Sequence, residues 1–367
     1  MRVHLVDPSA FTPPYDRALA TALGDLGEDV TLVTSRFAYG DVPPAPGVRI
    51  DERFYGASAR IGRAGSRVRQ AIKLAEHVPE MVAYARAAAR AAPDVVHFQW
   101  LTVQPLDVHL LPRGRPTVLT AHDVLPREPR LGQRAAQRRL YERVDHVVVH
   151  SEHGRGRLTG EVGIDPAHVS VIPHGAFTHL RDLTPRLPLE LGVPDAGRPI
   201  AVLPGLLRPY KGLDVLLEAW RGIDDAELWI VGRPRMALPE RLPPGVTLVP
   251  RFVADAELAA VLRRADLVVL PYREIDQSGV LYAALGLGRP LLLSAVGGFP
   301  EVAATGAAQL VAPGDPDALR DALRELLHDP GRRAALAAQA AHEAATTYAW
   351  EAIARRHAAL YGMLTGA

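Results

Sequence analysis

The residues best suited to chemistry lie in the second half of the chain, and they are cations and glycines rather than nucleophiles. Arg208 and Lys211 fall in Pro204-Gly205-Leu206-Leu207-Arg208-Pro209-Tyr210-Lys211-Gly212, between the apolar run Ile200–Leu203 and the amphipathic run Leu213–Trp220. A guanidinium grips phosphate oxygens as a planar fork and an ammonium acts as a point charge, so the pair suits a diphosphate. Gly205 lets backbone approach a ligand closely. A loop with two solvated cations fits the same spacing. A second stretch, Pro271-Tyr272-Arg273-Glu274-Ile275-Asp276-Gln277-Ser278-Gly279-Val280-Leu281, follows the apolar run Leu267–Leu270. Ser278 stands where a helix N-cap belongs. The amides of Ser278, Gly279 and Val280 would then form an anion site at the positive end of a helix. Glu274 and Asp276, just ahead of it, suit hydrogen bonds from sugar hydroxyls. An ordinary capped helix with solvated acids is the alternative. A third stretch, Ser294-Ala295-Val296-Gly297-Gly298-Phe299-Pro300-Glu301-Val302, reads as a tight turn into a helix.

Each stretch follows a short apolar run, and such runs recur along the whole chain. Val3–Val6, Val30–Thr34, Val95–Phe98, Thr117–Thr120 and His146–His150 read as strands, followed by Ile200–Leu203, Glu227–Val231, Leu267–Leu270 and Pro290–Leu293. Most are continuously apolar, as expected of parallel strands covered on both faces. Helical patterns alternate with them at Tyr15–Leu26, Val68–Ala91, Gly132–Val144, Leu213–Trp220, Asp255–Ala265, Gly279–Leu287 and Pro316–His328, with a last amphipathic helix over Tyr348–Leu364. This predicts a doubly wound α/β architecture. The series occurs twice, and the Pro-rich segment Ala176–Pro199 marks a boundary. The expectation is two Rossmann-like domains facing across a cleft, with ligands at the carboxyl ends of the strands. The first covers residues 1–180 plus the closing helix at 348–367, and the second covers 198–347.

Composition removes several classes. The 367 residues contain no cysteine, which excludes disulfides, thiolate metal sites and a cysteine nucleophile. A formal net charge of +1 argues against a nucleic-acid binder. The opening Met1–Asp7 lacks the apolar core of a signal peptide, and no run approaches a membrane span, so a cytoplasmic location is expected. Residues 53–90 hold eight Lys/Arg against two Glu, and residues 113–143 hold eight Arg against three acids. These stretches fit peripheral contact with anionic lipid headgroups, or equally a solvated face in an Arg-rich protein.

In order, the second half reads PGLLRPYKGLDVLLEAW, LWIVG, RFVADAELAAVLRRADLVVLPY, SGVLYAALGLGRPLL, GGFPEV and APGDPDAL. This resembles the nucleotide-sugar-binding domain of glycosyltransferase family 4, whose members are retaining enzymes of the GT-B fold. The first half is similar more sparsely, through DVVHFQW, TVLTAHDV, DHVVVHS and VSVIPHG. The ending YAWEAIARRHAALY resembles the family's last helix, which crosses back to the first domain. The resemblance implies that Arg208 and Lys211 contact the donor diphosphate. It implies that Gly279 and its neighbours receive the distal phosphate, that the backbone of Arg251-Phe252-Val253 meets the nucleobase, and that His122 lies near the donor sugar. His174 stands where the family usually has Asn, and reads as structural.

There are also departures. Family members commonly carry Glu-x7-Glu, one acid for the sugar and one for the ribose. The corresponding positions here are Ile275 and Ala283. Glu274 or Asp276 is expected to take over the sugar contact, with Glu301 a weaker substitute for the ribose contact. The family's N-terminal glycine-rich loop is replaced by Ser9-Ala10-Phe11-Thr12-Pro13-Pro14-Tyr15-Asp16, which makes Tyr15 and Asp16 candidates on the acceptor side. No Asp-x-Asp pair directly follows any of the strands read above, so neither a divalent metal nor another cofactor is expected. The implied reaction is glycosyl transfer from a nucleoside-diphosphate sugar to an acceptor hydroxyl, in polysaccharide, glycolipid or natural-product synthesis. A nucleotide-sugar epimerase of the same fold and a non-catalytic nucleotide-sugar-binding homologue remain as alternatives. Oligomeric state is not legible.

Overall fold

A computed structural model describes residues 1–38, 40–60, 67–101, 103–126, 131–192 and 197–366. Arg63, Arg127, Glu128 and Arg130, counted in the two basic stretches, and Pro194 of the expected boundary lie outside the described residues. The chain forms two compact units, Met1–His174 with Trp350–Ala367, and Gly175–Ala349.

The first unit holds β1 (Arg2–Asp7), β2 (Asp29–Ser35), β3 (Arg49–Phe54), β4 (Val95–Phe98), β5 (Thr117–Thr120), β6 (His146–Val149) and β7 (Val169–Val171). They form one sheet in the order β3-β2-β1-β4-β5-β6-β7, and every pairing is parallel. The second unit holds β8 (Ile200–Pro204), β9 (Glu227–Val231), β10 (Val246–Val249), β11 (Leu267–Leu270), β12 (Leu291–Ser294) and β13 (Ala308–Val311), in the order β10-β9-β8-β11-β12-β13, again all parallel. The central strands β4, β5, β6, β8, β11 and β12 are buried at every residue, which explains their unbroken apolar runs.

Four strands escape the apolar-run reading: β3, β7, β10 and β13. All four are sheet edges. An edge strand packs on fewer neighbours, so its sequence carries polar residues such as those of Arg49–Phe54, exposed at four of six positions. The Ala-rich helix Pro330–Ala345 is a further element that the periodicity did not reveal.

Two details of the chain path position the sites. The last helix, Trp350–Thr365, belongs to the first unit and packs on the helix Pro13–Asp25. It is pinned by the Tyr361 hydroxyl, 2.6 Å from Nδ1 of His97 on β4. The boundary falls at residues 174/175, ahead of the expected segment. Residues after it fold onto the second unit: the Ala176 N–H donates to the Tyr348 carbonyl, Phe177 N–H to Tyr282, and Arg186 N–H to Ala256. A Pro-rich stretch is thus a fastened strap rather than a free linker.

Candidate active site

In each sheet the strand order reverses direction once, between β1 and β4 and between β8 and β11. Loops leaving the carboxyl ends of those strands are splayed apart, which is where open α/β sheets bind ligands.

In the second unit these loops carry Gly205–Gly212 and Pro271–Ser278. Lys211 ends a short 3-10 turn, Pro209–Lys211, and is only 6% exposed. Its ammonium donates to the Tyr272 hydroxyl at 2.8 Å and sits 4.7 Å from the centre of that ring. The Tyr272 hydroxyl is in turn 3.5 Å from Oγ of Ser278. A cation from one loop is therefore aimed at the start of the helix Gly279–Gly286 by an aromatic from the other. Gly205 has φ +99°, and a Cβ there would lie 2.8 Å from Cγ2 of Val280 and 3.1 Å from Nζ of Lys211. Gly212 has φ +68°, and a Cβ would stand 2.0 Å from the Pro271 carbonyl oxygen. The two glycines let the two loops close on each other around Lys211.

Ser278 occupies the N-cap position, but its hydroxyl makes no capping bond and turns toward Tyr272. This corrects the expectation of a conventional serine cap. The first backbone bond into the helix is Leu281 N–H to the Ser278 carbonyl, so the amides of Gly279 and Val280 lie ahead of it. Arg208 is half-buried on extended backbone, and no carboxylate among the described residues pairs with it. Lys211 and Tyr272 thus stand beside the start of this helix, and Arg208 lies three residues ahead of Lys211 in the same loop.

The other expected donor residues are placed differently. The Arg251 guanidinium is held by two carboxylates, Glu190 at 2.7 Å and Glu257 at 2.8 Å, which raises its pKa further and holds Glu190 down to about 2. Its side chain fastens the strap to the helix Asp255–Arg264, leaving Phe252, 54% exposed, and half-buried Val253 as the presented part of that segment. Arg273 is paired with Asp214 at 2.5 Å. Glu274 is exposed, Asp276 is buried, and Glu301 is half-buried in the first turn of the helix Phe299–Ala303. Ile275 and Ala283, at the positions of the family's two acids, are buried apolar residues.

In the first unit, β1 ends at Asp7, whose carboxylate accepts the N–H groups of Ser9 at 3.1 Å, Phe11 at 2.5 Å and Thr12 at 3.3 Å. Asp16 faces it from the helix Pro13–Asp25. Burial raises both carboxyl pKa values, and the Asp7 charge raises Asp16 further. A carboxyl pair thus shapes the loop where the family has glycines. Asp16 and Tyr15 are both buried, on the inward face of their helix. The Tyr15 ring packs on His122, His150, His174 and Trp350. Neither side chain is presented outward, and Asp16 acts on loop geometry.

His122 follows β5. Nδ1 of His150 lies 3.0 Å from the Ile172 carbonyl and so carries a proton that it donates there. Its Nε2 then accepts from Nδ1 of His122, also at 3.0 Å. This chain fixes the His122 tautomer, leaving a bare lone pair on Nε2. Burial first, and the neighbouring imidazoles second, hold its pKa well below the ordinary value, so the ring is neutral near pH 7. Tyr272 carries no signal in the sequence beyond an aromatic directly after a buried strand.

Two family models match the chain. Residues 17–179 match the one described as Glycosyltransferase Family 4, and residues 198–329 match the one described as Glycosyl transferases group 1. The chain belongs to glycosyltransferase family 4. A relative in this family, the GDP-mannose:glycolipid 4-beta-D-mannosyltransferase of Xanthomonas campestris pv. campestris, is 31% identical over 49% of this chain and 50% of its own length. The chain thus spans about half the length of that curated relative. The D-inositol 3-phosphate glycosyltransferase of Actinosynnema mirum is 28% identical over 94% of this chain and 89% of its own. Among solved structures, Anabaena HepE in complex with UDP-glucose superposes with a TM-score of 0.72 at 17% identity, covering 99% of this chain and 100% of that one. The family 4 chain therefore has the GT-B fold. No helix among the described residues is long and apolar enough to cross a membrane.

Proposed function

We propose that this chain transfers a glycosyl group from a nucleoside-diphosphate sugar to an acceptor hydroxyl, with retention of anomeric configuration. The observation that carries the reading is Lys211, a buried ammonium aimed by Tyr272 at the open end of the helix Gly279–Gly286, with Gly205 leaving room beside it. The names of the relatives, one acting with GDP-mannose, point to the same donor class.

As the glycosyl bond breaks, charge grows on the leaving diphosphate. In this reading Lys211, Arg208 and the amides of Gly279 and Val280 meet that charge, and groups already held in place need no reorganisation at the moment of reaction. In a retaining transfer of this kind the leaving phosphate oxygen takes the acceptor proton on the same face, and the chain supplies no nucleophile. We assign donor binding to the second unit and acceptor binding to the first, and propose that turnover needs no divalent metal. In this reading two cations and a helix end carry the charge that a metal would otherwise neutralise.

The test is product analysis. The chain is incubated with UDP-, GDP- and ADP-activated hexoses and a panel of hydroxyl acceptors in EDTA, and the product's anomeric configuration is read by NMR. A retained product supports the reading; an inverted product, or activity restored only by added metal, overturns it. A second reading follows from Ile275 and Ala283, whose apolar burial removes the family's usual sugar and ribose carboxylates: a homologue that binds the nucleotide sugar without turning it over. Tight donor binding with neither transfer nor hydrolysis selects it.

A further inference from the structure

Strands β5, β6 and β7 of the first unit begin side by side, and their starts border a groove of about 540 Å³, within the range of small-molecule sites. Arg113 and Arg115 lie ahead of β5, Arg143 and Asp145 ahead of β6, and His168 ahead of β7, with Leu364 of the last helix completing the wall. This is the amino end of the sheet, about 13 Å of strand away from the carboxyl ends. Asp145 stitches the strand starts together. Its N–H donates to the Thr117 carbonyl at 2.8 Å, one carboxylate oxygen accepts the Thr117 N–H at 2.7 Å, and its carbonyl accepts from Nδ1 of His168 at 2.9 Å. The three arginines are exposed, and none pairs with a carboxylate among the described residues. On the same helix as Arg143, by contrast, Arg138 is held by Glu142 at 2.8 Å. Three guanidiniums against one aspartate, already engaged at one oxygen, leave two positive charges in excess. Gly114, between the first two arginines, is left-handed at φ +75°, and the N–H groups of Arg113, Gly114 and Arg115 make no hydrogen bond among the described residues. Consecutive free amides at a turn of this kind form an anion-binding concavity.

We propose that this groove binds a phosphate monoester, independently of the site at the β8–β11 switch point. A monoester carries about −1.5 to −2 charges at pH 7, which matches the excess of the wall. A guanidinium meets phosphate as a two-pronged fork, and three terminal oxygens serve more than one arginine and the turn amides together. A carboxylate brings two oxygens and one charge, and leaves at least one guanidinium without a partner. A neutral hydroxylated ring leaves the whole excess in place. Inorganic phosphate fills only a small part of the groove, so the monoester belongs to a larger body, whose apolar parts meet Pro112, Pro116 and Leu364. A soluble phosphorylated metabolite and a phospholipid with a monoester headgroup present the same chemistry to the arginines.

The test titrates the full chain with glucose 6-phosphate, succinate and glucose at physiological ionic strength, and follows hydrogen exchange in peptides covering residues 111–117 and 143–146. A parallel arm uses phosphatidylcholine vesicles containing either phosphatidic acid, a monoester, or phosphatidylserine, a diester. A phosphate monoester is expected to slow exchange in both peptides, with succinate about tenfold weaker and glucose without effect. Slowing by glucose 6-phosphate supports the proposal with a soluble carrier, and slowing by phosphatidic acid alone supports it with a lipid one. The double variant Arg115→Gln with Arg143→Gln is expected to weaken the binding about tenfold, because exposed charges count for less than buried ones. Its melting temperature should hold, since neither arginine is paired. Lys211→Met should bind the monoester as the parent chain does. No slowing by either monoester, equal slowing by succinate or phosphatidylserine, full binding by the double variant, or loss of binding in Lys211→Met overturns the proposal. None of these readouts uses a nucleotide sugar, so failure of the donor assignment leaves the result standing.

Discussion

Replacing Lys211 by Met tests the donor clamp with the least collateral change. Methionine keeps the unbranched stem that packs between the two loops and deletes the charge together with its hydrogen bond to Tyr272. At 6% exposure the ammonium works in an environment far less polar than water. For a phosphate oxygen at about 4 Å and an effective dielectric of about 20, the attraction between unit charges is about 4 kcal/mol. Charge-assisted hydrogen bonds measured by deletion are about 1.5–3 kcal/mol. A loss of about 3–4 kcal/mol of transition-state stabilisation corresponds to roughly a 10²–10³-fold fall in kcat/KM. Because the charge on the leaving group grows in the transition state, kcat should carry more of the loss than KM. The assay is steady-state transfer or donor hydrolysis, with thermal melting alongside. The melting temperature should hold, since the variant removes a desolvated charge rather than an apolar contact. Activity within threefold of the parent chain, with the fold intact, would refute the clamp.

The histidine cluster of the first unit predicts acid sensitivity. Burial takes His150 and His357 from an ordinary 6.5 to about 4. Between those values the unfolded chain binds protons that the native chain refuses, so stability falls as pH drops from 6.5 toward 4, by about 2 kcal/mol per group at pH 5. Asp7 and Asp16 act oppositely: their raised pKa values give stability that is lost as pH rises through the window above 3.8, which offsets part of the histidine effect. His357→Leu should therefore flatten the pH dependence of denaturant unfolding between pH 7.5 and 5 by about 2 kcal/mol; an unchanged slope contradicts the assignment. Gly205→Ala should cost about 1–3 kcal/mol of stability and lower kcat/KM together, because at φ +99° the added methyl strikes Val280 and Lys211. A variant of full activity and stability would show that the loops yield more easily than their contacts suggest.

The parts of the fold that the sequence displays are those buried on two faces. Leu267–Leu270 and Ile200–Leu203 can only be central strands, because nothing polar interrupts them. Arg49–Phe54 and Ala308–Val311 hide because an edge strand's polar residues imitate a loop. The same logic divides the site. Gly205, Lys211 and the Ser278–Val280 segment are legible because they directly follow central strands. The Lys211–Tyr272 contact is not, since it joins residues 61 apart through the register of β8 and β11. The ion pairs that hold the Arg251 guanidinium are not legible either, since Glu190 lies 61 residues away in the chain. Asp7 explains how a loop without the family's glycines still turns tightly, by accepting the backbone N–H groups of Ser9, Phe11 and Thr12.

Hydrogen-exchange mass spectrometry with UDP, GDP and ADP tests most directly whether a nucleoside diphosphate binds at the β8–β11 switch point. Slowed exchange is expected in peptides covering residues 205–212 and 278–282 with at least one of the three nucleotides, with loss of that protection in Lys211→Met. Protection confined to the first unit, or unchanged exchange in both segments at saturating nucleotide, would contradict it.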